Sequence, residues 1–283
     1  QDLNADEIFE LVRDLAGRCG IEFYGLSTGL STRGIDVGSS SFVALTKPEI
    51  LMFIGGSASV YVAGELWHLF DQKYAIPMTM VQTDRLASMD LDRFNTIILP
   101  GGSYSEWDEH DVQKLLAWTK KGGSLIACTE AARWAAGNDL GKTRFKEGVP
   151  PDTSRYLTYA ERSEERNLHG IGGAIFNAKL DISHPLCYGY VREDLAIMKT
   201  GTRLAMPLGI KYAEPVKFDS EPYISGWVSQ ENIERIKGAP VVSVQSIGRG
   251  KLISYHEDMN FRGLWPGTNK LLANGVFFGG IIR

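Results

Sequence analysis

The stretch Ser124-Leu125-Ile126-Ala127-Cys128-Thr129-Glu130-Ala131-Ala132-Arg133-Trp134, entered through the helix-stop pair Gly122-Gly123, decides how this chain is read. A short apolar run passes directly into an alanine-rich segment of helical character, the pattern of a strand-to-helix elbow. Such an elbow is tight and strained. Its backbones approach closely, so the residues two before and two after the tip must be small. Ala127 and Ala131 meet that demand if Thr129 is the tip, whereas a tip at Cys128 would put Ile126 and Glu130 at the crowded positions. The stretch therefore has the scaffold of a nucleophile elbow with a threonine where the nucleophile would stand.

Working outward, the segments around the elbow alternate in period. Strand-like runs at residues 50–54, 77–82, 96–99 and 125–128 alternate with helical patterns at 60–70 and 112–119, where Ala63, Leu66, Trp67 and Phe70 share one helix face. This alternation predicts a doubly wound, mostly parallel α/β sheet of flavodoxin-like kind. The second half carries more strand signals, at 174–180, 195–199, 210–213, 241–247 and 251–256, with helices at 229–236 and 268–278, which predicts antiparallel strands added to the same sheet. The chain opens with an amphipathic helix in which Asn4 and Glu7 fit a capping box and Ile8, Leu11, Val12 and Leu15 share a face, ended by Gly17 and Gly20. Two strand-like runs, 21–26 and 35–45, follow it. Lys47-Pro48 marks a boundary: residues 1–46 are expected to pack on the domain edge or to belong to a connection from an upstream domain, and residues 47–283 to form one α/β domain.

Composition narrows the function classes. With 283 residues, 43% hydrophobic and 23% charged, the chain is long enough for a large buried core. A net charge of −4 and a densest charge run that mixes signs, Glu161-Arg162-Ser163-Glu164-Glu165-Arg166, offer no basic stripe for nucleic acid. Apolar runs such as 276–282 fall far short of the roughly 20 residues that span a bilayer. Cys19, Cys128 and Cys187 are widely spaced with no C-x-x-C pair, the usage of unpaired thiols rather than of a disulfide framework or zinc ribbon. The start at Gln1, with neither methionine nor a signal-like segment, leads us to expect an excised or processed piece.

Three motifs fall where such a fold places chemistry. Ile98-Leu99-Pro100-Gly101-Gly102 is a strand ending in a glycine pair whose backbone N–H groups would suit an oxyanion, or simply a tight turn. The elbow is the second. The third, Ser254-Tyr255-His256-Glu257-Asp258, sets a histidine two residues before a carboxylate, an arrangement that orients an imidazole as general base.

Together these motifs resemble class I glutamine amidotransferase-like domains and, more distantly, the ThiJ/PfpI proteins. Those families build an oxyanion hole and a Cys-His-Glu triad from a glycine pair, a G-x-C-x-G elbow and an H-x-E motif. The resemblance carries Gly101, Gly102 and His256 over, with Asp258 in the acid's place. It departs at the elbow, where Thr129 stands for the cysteine and Glu130 follows. Threonine has a far higher pKa than a thiol and here has no N-terminal amine beside it, so Cys128, Thr129, His256 and Asp258 are read as a vestigial catalytic set. Gly101, Gly102, Glu130 and Arg262 are the expected pocket residues.

A second resemblance spans nearly the whole chain. The strings Gly64-Glu65-Leu66-Trp67-His68-Leu69-Phe70-Asp71, Leu180-Asp181-Ile182-Ser183-His184-Pro185-Leu186 and Phe261-Arg262-Gly263-Leu264-Trp265-Pro266-Gly267-Thr268-Asn269-Lys270-Leu271-Leu272-Ala273-Asn274 resemble the C-terminal region of large bacterial zinc carboxypeptidases. This implies an upstream peptidase domain as partner, zinc held there by a His-x-x-Glu pair and a distant histidine, and a periplasmic or secreted setting. None of His68, His110, His169, His184 and His256 has Glu three residues later, so no metal ligand set or cofactor is expected in this chain. The same strings also read without any family: a core helix face at Leu66, Trp67 and Phe70, a backbone-satisfied turn at His184, and aromatic packing of the last helix at Phe261 and Trp265. Arg262 is expected to pair with Glu257 or Asp258 and hold His256 in place.

Three function classes stay open: a catalytically silent accessory domain of a zinc metallocarboxypeptidase, an amidotransferase or hydrolase using Cys128 or Thr129 with His256, and a small-molecule or glycan-binding module at the strand ends, with a peptide or small molecule as ligand.

Overall fold

The computed structural model describes residues 3–146, 148, 156 and 158–283. By its internal contacts the chain divides into two units, Gln1–Ala44 and Leu45–Arg283. The first unit holds helix α1 (Ala5–Cys19), started by the expected capping box, in which Asn4 accepts from the Glu7 N–H and Glu7 from the Asn4 N–H, and ended by Gly20 in the left-handed region at φ 62°. The runs 21–26 and 35–45 form no strand. Their apolar residues are interrupted by Gly25 and Gly38 and find no neighbouring strand to pair with, and an isolated extended run leaves its backbone to water.

In the second unit the strands, in chain order, are β1 (Ile50–Ile54), β2 (Met78–Gln82), β3 (Thr96–Leu99), β4 (Ser124–Cys128), β5 (Phe145–Lys146), β6 (Ala174–Leu180), β7 (Asp194–Lys199), β8 (Leu204–Ala205), β9 (Val216–Gly226), β10 (Pro240–Ile247) and β11 (Gly250–Tyr255). The helices are α2 (Val60–Trp67), which continues as a π-turn over His68–Lys73, α3 (Glu109–Lys121), α4 (Glu130–Gly137), α5 (Arg162–His169), α6 (Gln230–Ile236) and α7 (Asn269–Phe278). A 9-stranded sheet runs in the order β2-β1-β3-β4-β11-β10-β9-β6-β7. From β2 to β11 every pairing is parallel, and from β11 to β7 every pairing is antiparallel. The expected α/β class holds, with an antiparallel extension as broad in pairings as the parallel core.

The parallel strands β1, β3 and β4 are covered on both faces, which is why they read as apolar runs rather than alternating ones, whereas the edge strand β2 is largely exposed. On one face Ile50, Met52, Ile98 and Ile126 pack with Leu66 and Phe70 of the α2 segment and Leu272 and Val276 of α7. On the other, Leu51, Phe53, Ile97 and Leu125 meet Leu115 and Trp118 of α3 and Ala131 and Ala135 of α4. Alternate residues of one strand thus feed two cores. Tyr104 stacks on Trp107 at a centroid distance of 4.5 Å and both lie against Trp134, which anchors the loop after β3.

Two second-half readings need correction. Residues 210–213 form a turn, and the strand that pairs β6 with β10 is β9. The β9 sequence Val-Lys-Phe-Asp-Ser-Glu-Pro-Tyr-Ile-Ser-Gly is rich in charge and carries Pro222, signals that argue against a strand locally. β10 pairs with Val216 and Lys217 and β6 with both ends of the strand, while Pro222 falls at the register break between the Phe218 and Tyr223 pairings. Among the described residues, no helix is long and apolar enough to cross a membrane.

Candidate active site and its geometry

All parallel strands end on one side of the sheet, and the order reverses between β1 and β3, the place where open α/β sheets bind ligands. Three chain segments converge there. After β3, Gly101 and Gly102 run beside the loop that follows β1: Ala58 and Gly102 form a bridge, closed by Ser59 N–H donating to the Gly101 carbonyl. A Cβ on Gly102 would lie 2.6 Å from the Ser57 carbonyl oxygen and 2.8 Å from Ala58 Cα. One on Gly101 would lie 2.4 Å from Thr129 Oγ1. The glycine pair is required by close approach of two backbones and of the elbow.

The elbow itself has the predicted form. Thr129 sits at φ 49°, ψ −114°, between β4 and α4, a conformation that a β-branched residue avoids. Ala127 and Ala131, both fully buried, fill the crowded positions on either side. The Thr129 N–H donates to the Tyr255 carbonyl at 2.7 Å, tying the tip to the end of β11. Since the registry pairs Tyr255 with Cys128, the next residue in each chain comes level, and His256 arrives next to Thr129. Thr129→Gly is expected to gain about 1 kcal/mol in chemical denaturation, because relief of strain of roughly 1–3 kcal/mol exceeds the added chain entropy of glycine. A loss of stability in that variant would show that the tip is unstrained.

Proximity does not make a triad. The Thr129 hydroxyl is buried without a hydrogen-bond partner, and so is His256 Nδ1. His256 Nε2 lies 3.0 Å from the Ser243 hydroxyl, and the edge of Phe145 meets the ring at a centroid distance of 5.6 Å. Burial, aided by the Lys199 charge, pushes the imidazole pKa down to about 3 and keeps it neutral. Among the described residues, no carboxylate holds either ring nitrogen. Cys128 lies inside the junction, buried, and desolvation, with the Asp258 charge next, drives its thiol pKa well up.

The carboxylates after His256 are engaged elsewhere. Glu257 is 6% exposed and receives the Lys199 ammonium, itself 1% exposed, at 2.6 Å. Lys199 also donates to the Arg203 carbonyl at 2.9 Å. Burial raises the Glu257 pKa and the lysine opposes that rise. Asp258 instead lines one recess with Glu65 of α2, and its charge adds to burial in raising the Glu65 pKa. Arg262 contacts neither Glu257 nor Asp258 as expected from the sequence: its backbone N–H donates to Glu65 Oε1 at 2.8 Å and its guanidinium lies over the Phe261 ring at 5.2 Å. Lys199 and Glu65 escaped the sequence reading. A signal existed for the first, since Leu195, Ile197 and Lys199 alternate in phase, which puts the lysine on the buried face of β7. Nothing local marked Glu65.

Beside these groups opens a cavity of about 430 Å³, lined among others by Thr129, Glu130, Arg133, His256, Asp258 and Phe261. Its volume is that of a small-molecule site. Of the expected pocket residues, Glu130 lines this cavity at the first turn of α4, whereas Gly101 and Gly102 lie behind the elbow and Arg262 is exposed on the flank. His184 is the turn residue expected of it, its Nδ1 accepting from Leu186 N–H at 3.1 Å. Among the described residues, no group of three or more His, Cys, Asp or Glu side chains is placed to hold a metal ion.

Comparison with protein-family models and with curated proteins gives no match. Among solved structures, a putative ThuA-like protein from Parabacteroides merdae is similar at TM-score 0.55 and 14% identity, over 83% of this chain and 90% of that one. A putative ThuA-like protein from Bacteroides uniformis follows at TM-score 0.48 and 12% identity, over 84% and 93% of the two chains. A glutamine amidotransferase from Thermotoga maritima follows at TM-score 0.43 and 11% identity, over 75% and 76%. Only the first lies above 0.5, and at such identity the likeness concerns the fold alone. The carboxypeptidase resemblance has no counterpart among these matches. What the strand order and the first likeness establish together is an α/β fold, with a parallel core and an antiparallel extension, like that of the ThuA-like protein.

Proposed function

We propose that this chain is a non-catalytic accessory domain whose amidotransferase-like site is degenerate, and that it serves a zinc metallocarboxypeptidase. One observation carries the silence: the elbow tip is a threonine whose buried hydroxyl has no hydrogen-bond partner, next to a neutral histidine that no carboxylate orients. A hydroxyl needs an adjacent base to become a nucleophile at neutral pH, and the base in turn needs a group that fixes its tautomer. Both links are missing. The link to a peptidase rests on the strings at 64–71, 180–186 and 261–274. It brings with it an upstream peptidase domain as partner, zinc held in that domain, residues 1–46 either packing on the domain edge or serving as the connection, and a periplasmic or secreted setting. The role proposed is to stabilise or orient the peptidase or to adjust its substrate range.

A second reading, a small-molecule or glycan-binding module, is favoured by the cavity of about 430 Å³ at the strand ends. The two are compatible, since a silent site often keeps its pocket. The third class, an amidotransferase or hydrolase using Cys128 or Thr129 with His256, has the geometry described above against it.

Expected results are glutaminase and esterase turnover at background for the chain, less than about one tightly held zinc per ten chains by elemental analysis, and alkylation of Cys128 only at the rate at which the buried junction opens. Fast stoichiometric labelling of Cys128, together with an activity that Cys128→Ser abolishes, would restore the enzyme reading. One zinc per chain, with carboxypeptidase turnover lost on chelation, would overturn the placement of the peptidase chemistry elsewhere.

A further inference from the structure

The segment that follows β11 is held to α2 by a set of contacts centred on two acids. Asn260 Nδ2 donates to the Glu65 carbonyl at 2.8 Å, and Arg262 N–H donates to Glu65 Oε1, also at 2.8 Å. Asn260 N–H donates to Asp258 Oδ1 at 3.0 Å, turning the chain so that the aspartate faces Glu65. Glu65 Oε2 is buried and finds no N–H or O–H donor. Two ionised carboxylates cannot hold that position. A carboxylate oxygen with no donor, set against a second carboxyl, is accounted for by a proton between them.

We propose that Glu65 and Asp258 form a proton-held clasp that closes segment 258–263, with Phe261, along the rim of the strand-end cavity and loosens it when the shared proton is lost. The surroundings favour this. Glu130 at the start of α4 adds negative charge near the pair, as does Glu257, although Lys199 neutralises most of the latter. Arg262 acts the other way, its charge favouring ionised Glu65. Cys128 and Tyr255 line the same recess as uncharged groups. On the outer flank, Lys73 Nζ donates to the Gly263 carbonyl at 3.2 Å, and His68 lies near Gly263. Desolvation, and next the Asp258 charge, raise the Glu65 pKa to about 7.

The sign follows from linkage. The folded pair binds a proton more tightly than the unfolded chain does, so its contribution is intact below the unfolded glutamate value and is lost as pH rises from there through about 7. Above that, two like charges face each other across the contact that fixes the segment. The clasp is therefore closed in mild acid and open in mild alkali, and Phe261 moves with it because it lies between the two anchors Asn260 and Arg262.

Hydrogen exchange of the 283-residue chain, corrected for intrinsic rates, reads the clasp at Arg262 N–H and its neighbours. Between pH 5.5 and pH 8.5 their protection is expected to fall about tenfold or more, while that of β4 stays constant. Glu65→Gln, whose amide supplies a donor at every pH, should keep the segment protected at both. His68→Gln should keep the wild-type pH response. Equal wild-type protection at both pH values, an unaltered response in Glu65→Gln, or its loss in His68→Gln would each overturn the proposal. Should Glu65→Gln fold poorly, Asp258→Asn gives the same readout from the other side, with the same expected result and the same refutation.

Discussion

Replacing Lys199 by methionine is expected to destabilise the domain by about 3–5 kcal/mol in urea denaturation at pH 7, the largest effect of any single side-chain change at the site. The reason is the state it leaves behind. Glu257 is 6% exposed and its opposing charge is the ammonium 2.6 Å away. Without the lysine the carboxylate must either stay ionised in a medium that solvates it poorly or take up a proton. The Lys199→Met/Glu257→Met double variant should recover most of the loss, since removing both members of a buried pair leaves no charge stranded. The deficit of the single variant also has a pH signature. Burial already raises the Glu257 pKa, and loss of the lysine raises it further, so the folded state then holds the proton. Stability of the variant should fall as pH rises above the ordinary glutamate range, making the deficit smaller near pH 5 than at pH 8. A loss under 1 kcal/mol, or a double variant no better than the single, would show that the pair is solvated.

Gly102→Ala is expected to cost about 2–3 kcal/mol although it adds a single methyl group. The methyl would fall 2.6 Å from the Ser57 carbonyl and 2.8 Å from Ala58 Cα, both backbone atoms that cannot rotate aside. Relief requires the loops after β1 and β3 to separate, breaking the bridge between Ala58 and Gly102. Gly64→Ala is the matched control. Gly64 lies inside α2 with open space where its Cβ would go, so the same change there should stabilise by roughly 0.5–1 kcal/mol through helix propensity. If both variants melt within 0.5 kcal/mol of the parent, the two loops do not pack as described.

These two positions show which parts of the site could be read in advance. Gly101 and Gly102 are visible in the sequence as a strand-end pair, but an oxyanion hole and a steric contact look alike there. The space a Cβ would need is taken by Ser57 and Thr129, from segments about 45 and 28 residues away. Thr129 is different. Its role as tip followed from the sizes of Ala127 and Ala131 alone, and φ 49° bears that out, because crowding at an elbow is a local constraint. Strand β9 was missed for the opposite reason: its local signals are unfavourable, and pairing with β6 along its length and with β10 at Val216 and Lys217 makes it a strand.

The sequence by itself determined the alternation of strands and helices, the parallel core, the elbow and its tip, and the capping of α1, all of which depend on side-chain period and on backbone sterics within a few residues. Tertiary structure alone decided the partners of the charged groups. His256, Glu257 and Asp258 are consecutive, and their spacing invites a catalytic reading. The fold instead gives the first to Ser243, the second to Lys199 and the third to Glu65, from β10, β7 and α2 respectively. A buried charge takes whichever opposite charge or proton the packing brings within about 3 Å, and that choice is made by strand order and register, not by neighbours in the chain.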